Sequence, residues 1–201
     1  MKQILLALAL IFIAAVPATA QKPPKTGESV QDPVTFAGLL EEAGLEYEIP
    51  AGFVEVPVEF NEVLPYQYRV RSTDGTVEIR YTIFPLNRVE IDYDDPHSSA
   101  PEPDHLFTLL FPGILTEISG WGHYKSKDYP ASEALRLFNA DWAAVAVMQV
   151  IPEYSPDYRQ ALVVAMHRNG HADAYQIFLG NDLKHLGVVA ARVEASLRFK
   201  Q

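Results

Sequence analysis

Pro65 to Ser72 and Thr76 to Phe84 alternate apolar and polar residues with period two around Asp74-Gly75. Alternation of this kind marks a strand with one face on a core. Asp-Gly between two such runs marks a tight hairpin. A two-residue loop also fixes the register. It sets Arg71 opposite Glu78, Val70 opposite Ile79, Arg69 opposite Arg80 and Tyr68 opposite Tyr81. One face then carries Tyr66, Tyr68, Val70, Val77, Ile79, Tyr81 and Ile83. The other carries Gln67, Arg69, Arg71, Glu78, Arg80 and Thr82. The first face belongs to a core; the second meets water or a partner.

Around this hairpin the pattern predicts a full set of elements. Val34 to Ala43 reads as a short helix stopped at Gly44. Leu45–Ile49 and Phe53–Val56 read as two short strands around a Pro50-Ala51-Gly52 turn. Leu106 to Ile118 is apolar and helical, with Pro112-Gly113 expected to kink or split it. Gly120-Trp121-Gly122 marks a turn, and a second helix runs from Pro130 to about Asn139. Trp142–Ile151 is a nearly continuous apolar run. Ala161–His167 and Ala172–Leu179 form a second hairpin around Asn169-Gly170. Runs that are apolar on both faces suit central strands covered from both sides. Asn181 is placed to cap a final helix over Asp182–Ala195, and Ser196–Phe199 adds an edge strand.

The order is helix, strand pair, hairpin, two helices, strand, hairpin, helix. It predicts an α+β layered sandwich, with a central antiparallel sheet built from hairpins and helices packed on both faces. The chain resembles the PsbP-like fold of extrinsic photosystem II proteins and a Ran-binding import factor, in an exported bacterial branch. The resemblance rests on the element order, on Tyr47-Glu48-Ile49-Pro50 with Gly52-Phe53, on the Asp74-Gly75 hairpin, and on the closing helix that runs into Ser196-Leu197-Arg198-Phe199. It implies one domain over residues 34–201 with an assembly, binding or accessory role, and it supplies no catalytic residues.

The amino-terminal end changes where such a domain would work. Lys2, the uncharged apolar stretch Ile4–Val16 and the small residues Ala18-Thr19-Ala20 read as a signal peptide over 1–20, cleaved before Gln21. The apolar run is short for a bilayer span, so no stable membrane anchor is expected after cleavage. Residues 21–33 are polar and proline-bearing and read as a disordered leader. The expected location is periplasmic or secreted. There is no cysteine, which rules out disulfides, thiolate metal sites and a cysteine nucleophile. The formal charge of −10, or −11 once Lys2 is removed, argues against a nucleic-acid partner.

Candidate chemistry is sparse. The chain has no Gly-x-Ser-x-Gly elbow, no Ser-x-x-Lys and no His-Glu-x-x-His, so a hydrolase would need a site of another kind. Asp92, Asp94, Asp95 and His97, with Glu102, Asp104 and His105 nearby, form an acidic segment whose hard oxygens could hold calcium. It lacks the glycine and distal glutamate of an EF-hand, and a solvated acidic loop is the plainer reading. His167 and His171 flank the Asn169-Gly170 turn on opposite faces of the sheet, so they are not expected to share a metal. The most informative set is Arg69, Arg71 and Arg80. Like charges directly opposite destabilise a strand pair, so this cluster calls for counter-charge. That charge comes either from Glu78, Glu59 or the acidic loop within the chain, or from an anionic ligand or a partner's carboxylates. In the second case the arginines form an exposed or half-exposed basic patch.

Overall fold

The structure, a computed structural model, describes residues 35–89 and 101–201. The expected signal peptide and leader lie outside these residues, as do Asp92, Asp94, Asp95 and His97. The fold is an α+β sandwich around a seven-stranded antiparallel sheet, as the pattern predicts. Helix α1 (Phe36–Glu42) opens it; the Thr35 hydroxyl accepts from the Gly38 N–H and caps the first turn. Strand β1 is Leu45–Tyr47 and β2 is Phe53–Glu55. Strands β3 (Tyr68–Ser72) and β4 (Glu78–Pro85) form the hairpin in the expected register, with Arg69 opposite Arg80 and Arg71 opposite Glu78. Helix α2 (Phe107–Ser119) leads to β5 (Tyr124–Asp128), and α3 (Ala131–Phe138) leads to β6 (Trp142–Gln149). Strands β7 (Gln160–Arg168) and β8 (Ala172–Gly180), helix α4 (Leu183–Val193) and β9 (Leu197–Phe199) complete the order.

The main sheet runs β2-β3-β4-β8-β7-β6-β5. One face packs Val70, Ile79, Tyr81, Val164 and Phe178 against α1, α3 and α4. The other packs Ala146, Val163, Tyr175 and Ile177 against Phe111, Ile114, Leu115 and Ile118 of α2. Leu64, Tyr154 and Tyr158 from two connecting segments extend that second cover. Each large apolar side chain fully withdrawn from water contributes roughly 1.5–3 kcal/mol, so the two layers dominate the stability of a chain that has no disulfide.

Four local expectations are corrected. The strands around Pro50-Ala51-Gly52 do not pair with each other: β1 pairs with β9 in a separate two-stranded sheet, and β2 pairs with β3. Helix α2 passes through Pro112 without splitting. The cap of α4 is Asp182, whose carboxylate accepts from the N–H groups of Lys184 and His185. Asn181 is engaged elsewhere, accepting from the Arg159 N–H and donating to the Asp157 carbonyl. Strand β5, polar along its length, is an element that the apolar pattern does not signal.

Candidate functional site

The arginine hairpin is where sequence and structure meet most sharply. Strand β4 lies between β3 and β8, and the two connecting segments that carry Tyr66 and Tyr154 cover its polar face, so that face does not look into water. Arg69 and Arg80 are each 5% exposed, and Glu78 is 1% exposed. The exposed or half-exposed basic patch is therefore corrected for Arg69 and Arg80; only Arg71 reaches solvent in part. The chain supplies the counter-charge itself. Glu78 Oε1 accepts from Arg80 Nε at 2.9 Å and lies 3.7 Å from an Arg69 nitrogen, while Oε2 accepts from Arg71 Nη2 at 2.7 Å and from Nε at 3.2 Å. One buried carboxylate thus accepts from two guanidiniums and lies within ion-pair range of a third, and charge-assisted bonds of this kind are the strong ones. These contacts and Glu78's charge also hold the Arg71 guanidinium above its usual value.

The second carboxylate comes from outside the sheet. Arg69 Nη2 donates to Glu59 Oε1 at 2.6 Å. This contact draws the Glu59 carboxyl below its ordinary range, with Arg80 and Arg71 adding to the effect. Arg80 Nη1 donates to the Tyr154 carbonyl at 2.7 Å, and its guanidinium lies 4.7 Å from the Tyr66 ring centre and 4.8 Å from that of Tyr154. Tyr66 therefore belongs to the arginine face, contrary to its place in the sequence alternation. Asn61 donates to the same Tyr154 carbonyl and accepts from the N–H groups of Val63 and Leu64. The Glu59 N–H donates to the Tyr66 hydroxyl.

The outcome is a surface segment fastened from beneath. Glu59 points down to Arg69, and in extended chain its neighbours point the other way. Phe60 is 86% exposed, and Val58 is exposed beside it. Val54 of β2 is also exposed and pairs with Arg71, on the same face of the sheet. Arg71 Nη1 makes no hydrogen bond among the described residues. Val54 thus stands beside the half-exposed Arg71, and Val58 and Phe60 are exposed on the segment fastened to Arg69.

The other candidates are engaged by their own bonding, except that the buried Asp173 Oδ2 has no hydrogen-bond partner among the described residues. His167 and Asp173 pair across β7 and β8 with Nδ1 to Oδ1 at 2.7 Å, and both side chains are buried. Nε2 meets the Asn169 side-chain oxygen at 2.9 Å, and the ring stacks on Phe107 at 4.3 Å. Burial alone would lower the imidazole's pKa; Asp173 and Asn169 more than offset it and hold it above its usual value. His171 turns away from His167, toward Gly44 and Phe199. The two share no ligand, but the expected two-residue turn is corrected: Arg168 pairs with Ala172 and His167 with Asp173, which leaves three residues in the turn and puts Asp173 on the His167 face. A depression of about 370 Å³ is lined by Leu39, Gln67, Ile83, Phe84, Pro85, Arg88 and Val89, and Arg88 is already bonded to Glu42. Another, of about 530 Å³, lies beside the Asp74-Gly75 turn. Its carboxylates are engaged: Asp74 by Ser72 and Thr76, and Asp182 by the start of α4.

The chain is similar to the solution structure of cyanobacterial PsbP (CyanoP) from Synechocystis sp. PCC 6803. Identity is 12% over 79% of this chain and 88% of that one, with a TM-score of 0.40. The likeness concerns the fold alone. No family model and no curated protein matches the chain. Among the described residues, no helix is long and apolar enough to cross a membrane.

Proposed function

We propose that the protein is an exported accessory protein that binds a partner protein through Val54, Val58, Phe60 and Arg71. The observation that carries this reading is the fastening of Glu59 by buried Arg69, which turns Phe60 and Val58 outward. A free apolar side chain on a loose loop would fold down onto the surface. Here the ion pair and the Glu59–Tyr66 bond hold the segment in a form that keeps it out. Preorganised aromatic anchors beside an arginine are the residue types that dominate protein–protein hot spots. The partner is read as a protein because the patch exposes Val54, Val58 and Phe60, and because a chain of charge −10 repels polyphosphates. The half-exposed Arg71 would meet a carboxylate at the rim. Export rests on Lys2, the apolar run after it and Ala18-Thr19-Ala20.

Site-specific photo-crosslinking in the native host tests the docking. A benzoylphenylalanine replacing Phe60 should give a discrete adduct with one protein. The same probe at Leu135, which is also exposed and apolar but lies on α3, should not. Equal, diffuse labelling from both positions would overturn the reading. Mass spectrometry of the exported protein should show a chain beginning at Gln21, and an intact Met1 would remove the export claim.

A further inference from the structure

The sheet has two edges, and they differ in what they offer. At β2, the Phe53 N–H is taken by the Pro50 carbonyl, and Pro57 follows with no N–H to give. That edge is closed to strand addition within a few residues. At the other end of the sheet β5 is terminal. The Tyr129 N–H donates inward to the Ala143 carbonyl, so the ladder alternation turns the N–H and C=O groups of Tyr124, Ser126 and Asp128 outward. Lys125 and Lys127 pair with Val147 and Val145 and so share one face of the strand. Both lysines are exposed, and neither has an ion-pair partner among the described residues. Just before the strand stands Trp121, 84% exposed, with a left-handed backbone at φ 64°. The Trp121 N–H donates to the Thr116 carbonyl and closes the end of α2, which fixes where the indole is displayed.

We propose that the β5 edge accepts an extended acidic segment of a partner protein as an eighth strand. Carboxylates at alternate positions would meet Lys125 and Lys127, and Trp121 would cover the segment's end. The alternation matters because side chains two apart stand on one face, at the spacing of the two lysines. The outward groups of Tyr124, Ser126 and Asp128 would supply the main-chain bonds, as in other strand-addition complexes. A second copy of this chain does not fit. Two-fold pairing centred on Ser126 sets Lys125 against the other copy's Lys127, and like charges directly opposite repel. The lysines therefore disfavour self-pairing in the register that uses the whole strand, and select an acidic strand by the same charge. This edge lies across the sheet from Val54, Val58 and Phe60, so the proposal stands independently of the docking surface there.

The test uses the protein as the cell processes it and a fluorescein-labelled peptide of alternating glutamate and valine. Its controls are a peptide of the same composition with the glutamates in one block, and a lysine–valine twin. Anisotropy at low salt should show saturable binding at least about tenfold tighter for the alternating acidic peptide. Bound peptide should slow amide exchange at Ser126 and Asp128. Joint Lys125→Gln and Lys127→Gln substitution should weaken binding about five- to tenfold. Val58→Ser with Phe60→Ser should leave it unchanged. Equal binding of the alternating and block peptides, indifference to the lysine substitutions, or protection outside β5 would each overturn the proposal. So would binding to phosphatidylglycerol vesicles with no peptide preference, which would make this edge a lipid-facing surface.

Discussion

Replacing Glu78 by glutamine is the sharpest test of the buried charge cluster. The substitution keeps shape and removes one charge. In the native protein, Arg69, Arg71 and Arg80 face two carboxylates, Glu78 and Glu59, and Glu78 alone lies within ion-pair range of all three guanidiniums. Glu59 reaches Arg69 alone and is largely in water. The variant leaves Arg80 at 5% exposure with the Tyr154 carbonyl and two ring faces as partners and no carboxylate. The glutamine amide also turns N–H groups toward guanidinium donors. Breaking a buried ion pair by removing one partner costs about 3–5 kcal/mol. Domains of this size hold about 5–15 kcal/mol in total, and each kcal/mol shifts Tm by about 2–4 °C. The expected loss is therefore about 6–20 °C.

Urea denaturation of Glu78→Gln, Arg80→Gln and the double variant reads the cluster directly. The double variant should lose less than the two singles added together, by more than about 1 kcal/mol, because each single change strands the other's charge. The loss for Glu78→Gln should persist in molar salt, since buried pairs are screened little. A loss under about 1 kcal/mol, additive singles, or a loss that vanishes with salt would each refute the buried network. Joint replacement of Arg69 and Arg80 by glutamine should likewise lower stability, because it leaves Glu78 with Arg71 alone.

Other consequences are simpler. His167 titrates higher in the folded chain than its ordinary value of 6.5, so its pairing with Asp173 is fully stabilising below that pH and fades as pH rises through the folded value; urea midpoints should fall across that window, and His167→Asn should flatten the trend. Asp182→Ala should cost about 1 kcal/mol by removing the α4 cap, whereas an unchanged urea midpoint would mean that the cap is idle. Gly120→Ala should destabilise strongly, since φ is +60° and a Cβ would stand 2.5 Å from Ile151 Cγ2; Gly75→Asn, with open space around it and a side chain that tolerates left-handed backbone, should cost little by thermal melt.

What the sequence discloses here follows the range of each interaction. The β3–β4 register is legible because a two-residue turn decides it locally. The β7–β8 register is not, because three residues, Asn169 to His171, separate Arg168 from its partner Ala172 where the sequence signals a two-residue turn. Nor are the partners of β1 and β2 legible, because Tyr47 pairs with Leu197 and Phe53 with Ser72, and nothing near Pro50 encodes those meetings. Strand β5 was missed because an edge strand carrying Lys125 and Lys127 has no apolar alternation to find. Asn181 and Asp182 are both capping residues in sequence, and only the use of Asn181 by Arg159 and Asp157 decides between them. The arginine face fails for a deeper reason. Alternation says which residues share a face, but whether that face is wet depends on which distant segments fold over it, here those of Tyr66 and Tyr154. Glu78 and Glu59 are nameable as counter-charges, yet only the structure shows Glu78 buried beside Tyr154 while Glu59 reaches Arg69 from the surface.

Such a cluster is a poor device for stability alone, because well-packed apolar residues of similar volume commonly do as well or better than a buried ion network. Its distinctive product is position: Arg69 holds Glu59, and Glu59 sets Val58 and Phe60 outward. The two roles separate in the triple variant Arg69→Met, Glu78→Leu, Arg80→Met. Arg71 and Glu59 remain, and both reach water, so neither is left as a stranded buried charge. The Tyr154 carbonyl loses Arg80 but keeps Asn61. The triple variant should therefore stay within about 2 kcal/mol of the native chain, far above Glu78→Gln. Released from Arg69, the segment around Glu59 should exchange its amides faster, and the crosslink from position 60 should fade. A triple variant as unstable as Glu78→Gln would make the cluster a stabiliser in its own right. A stable triple variant with an undiminished crosslink would mean that the arginines do not position the docking surface.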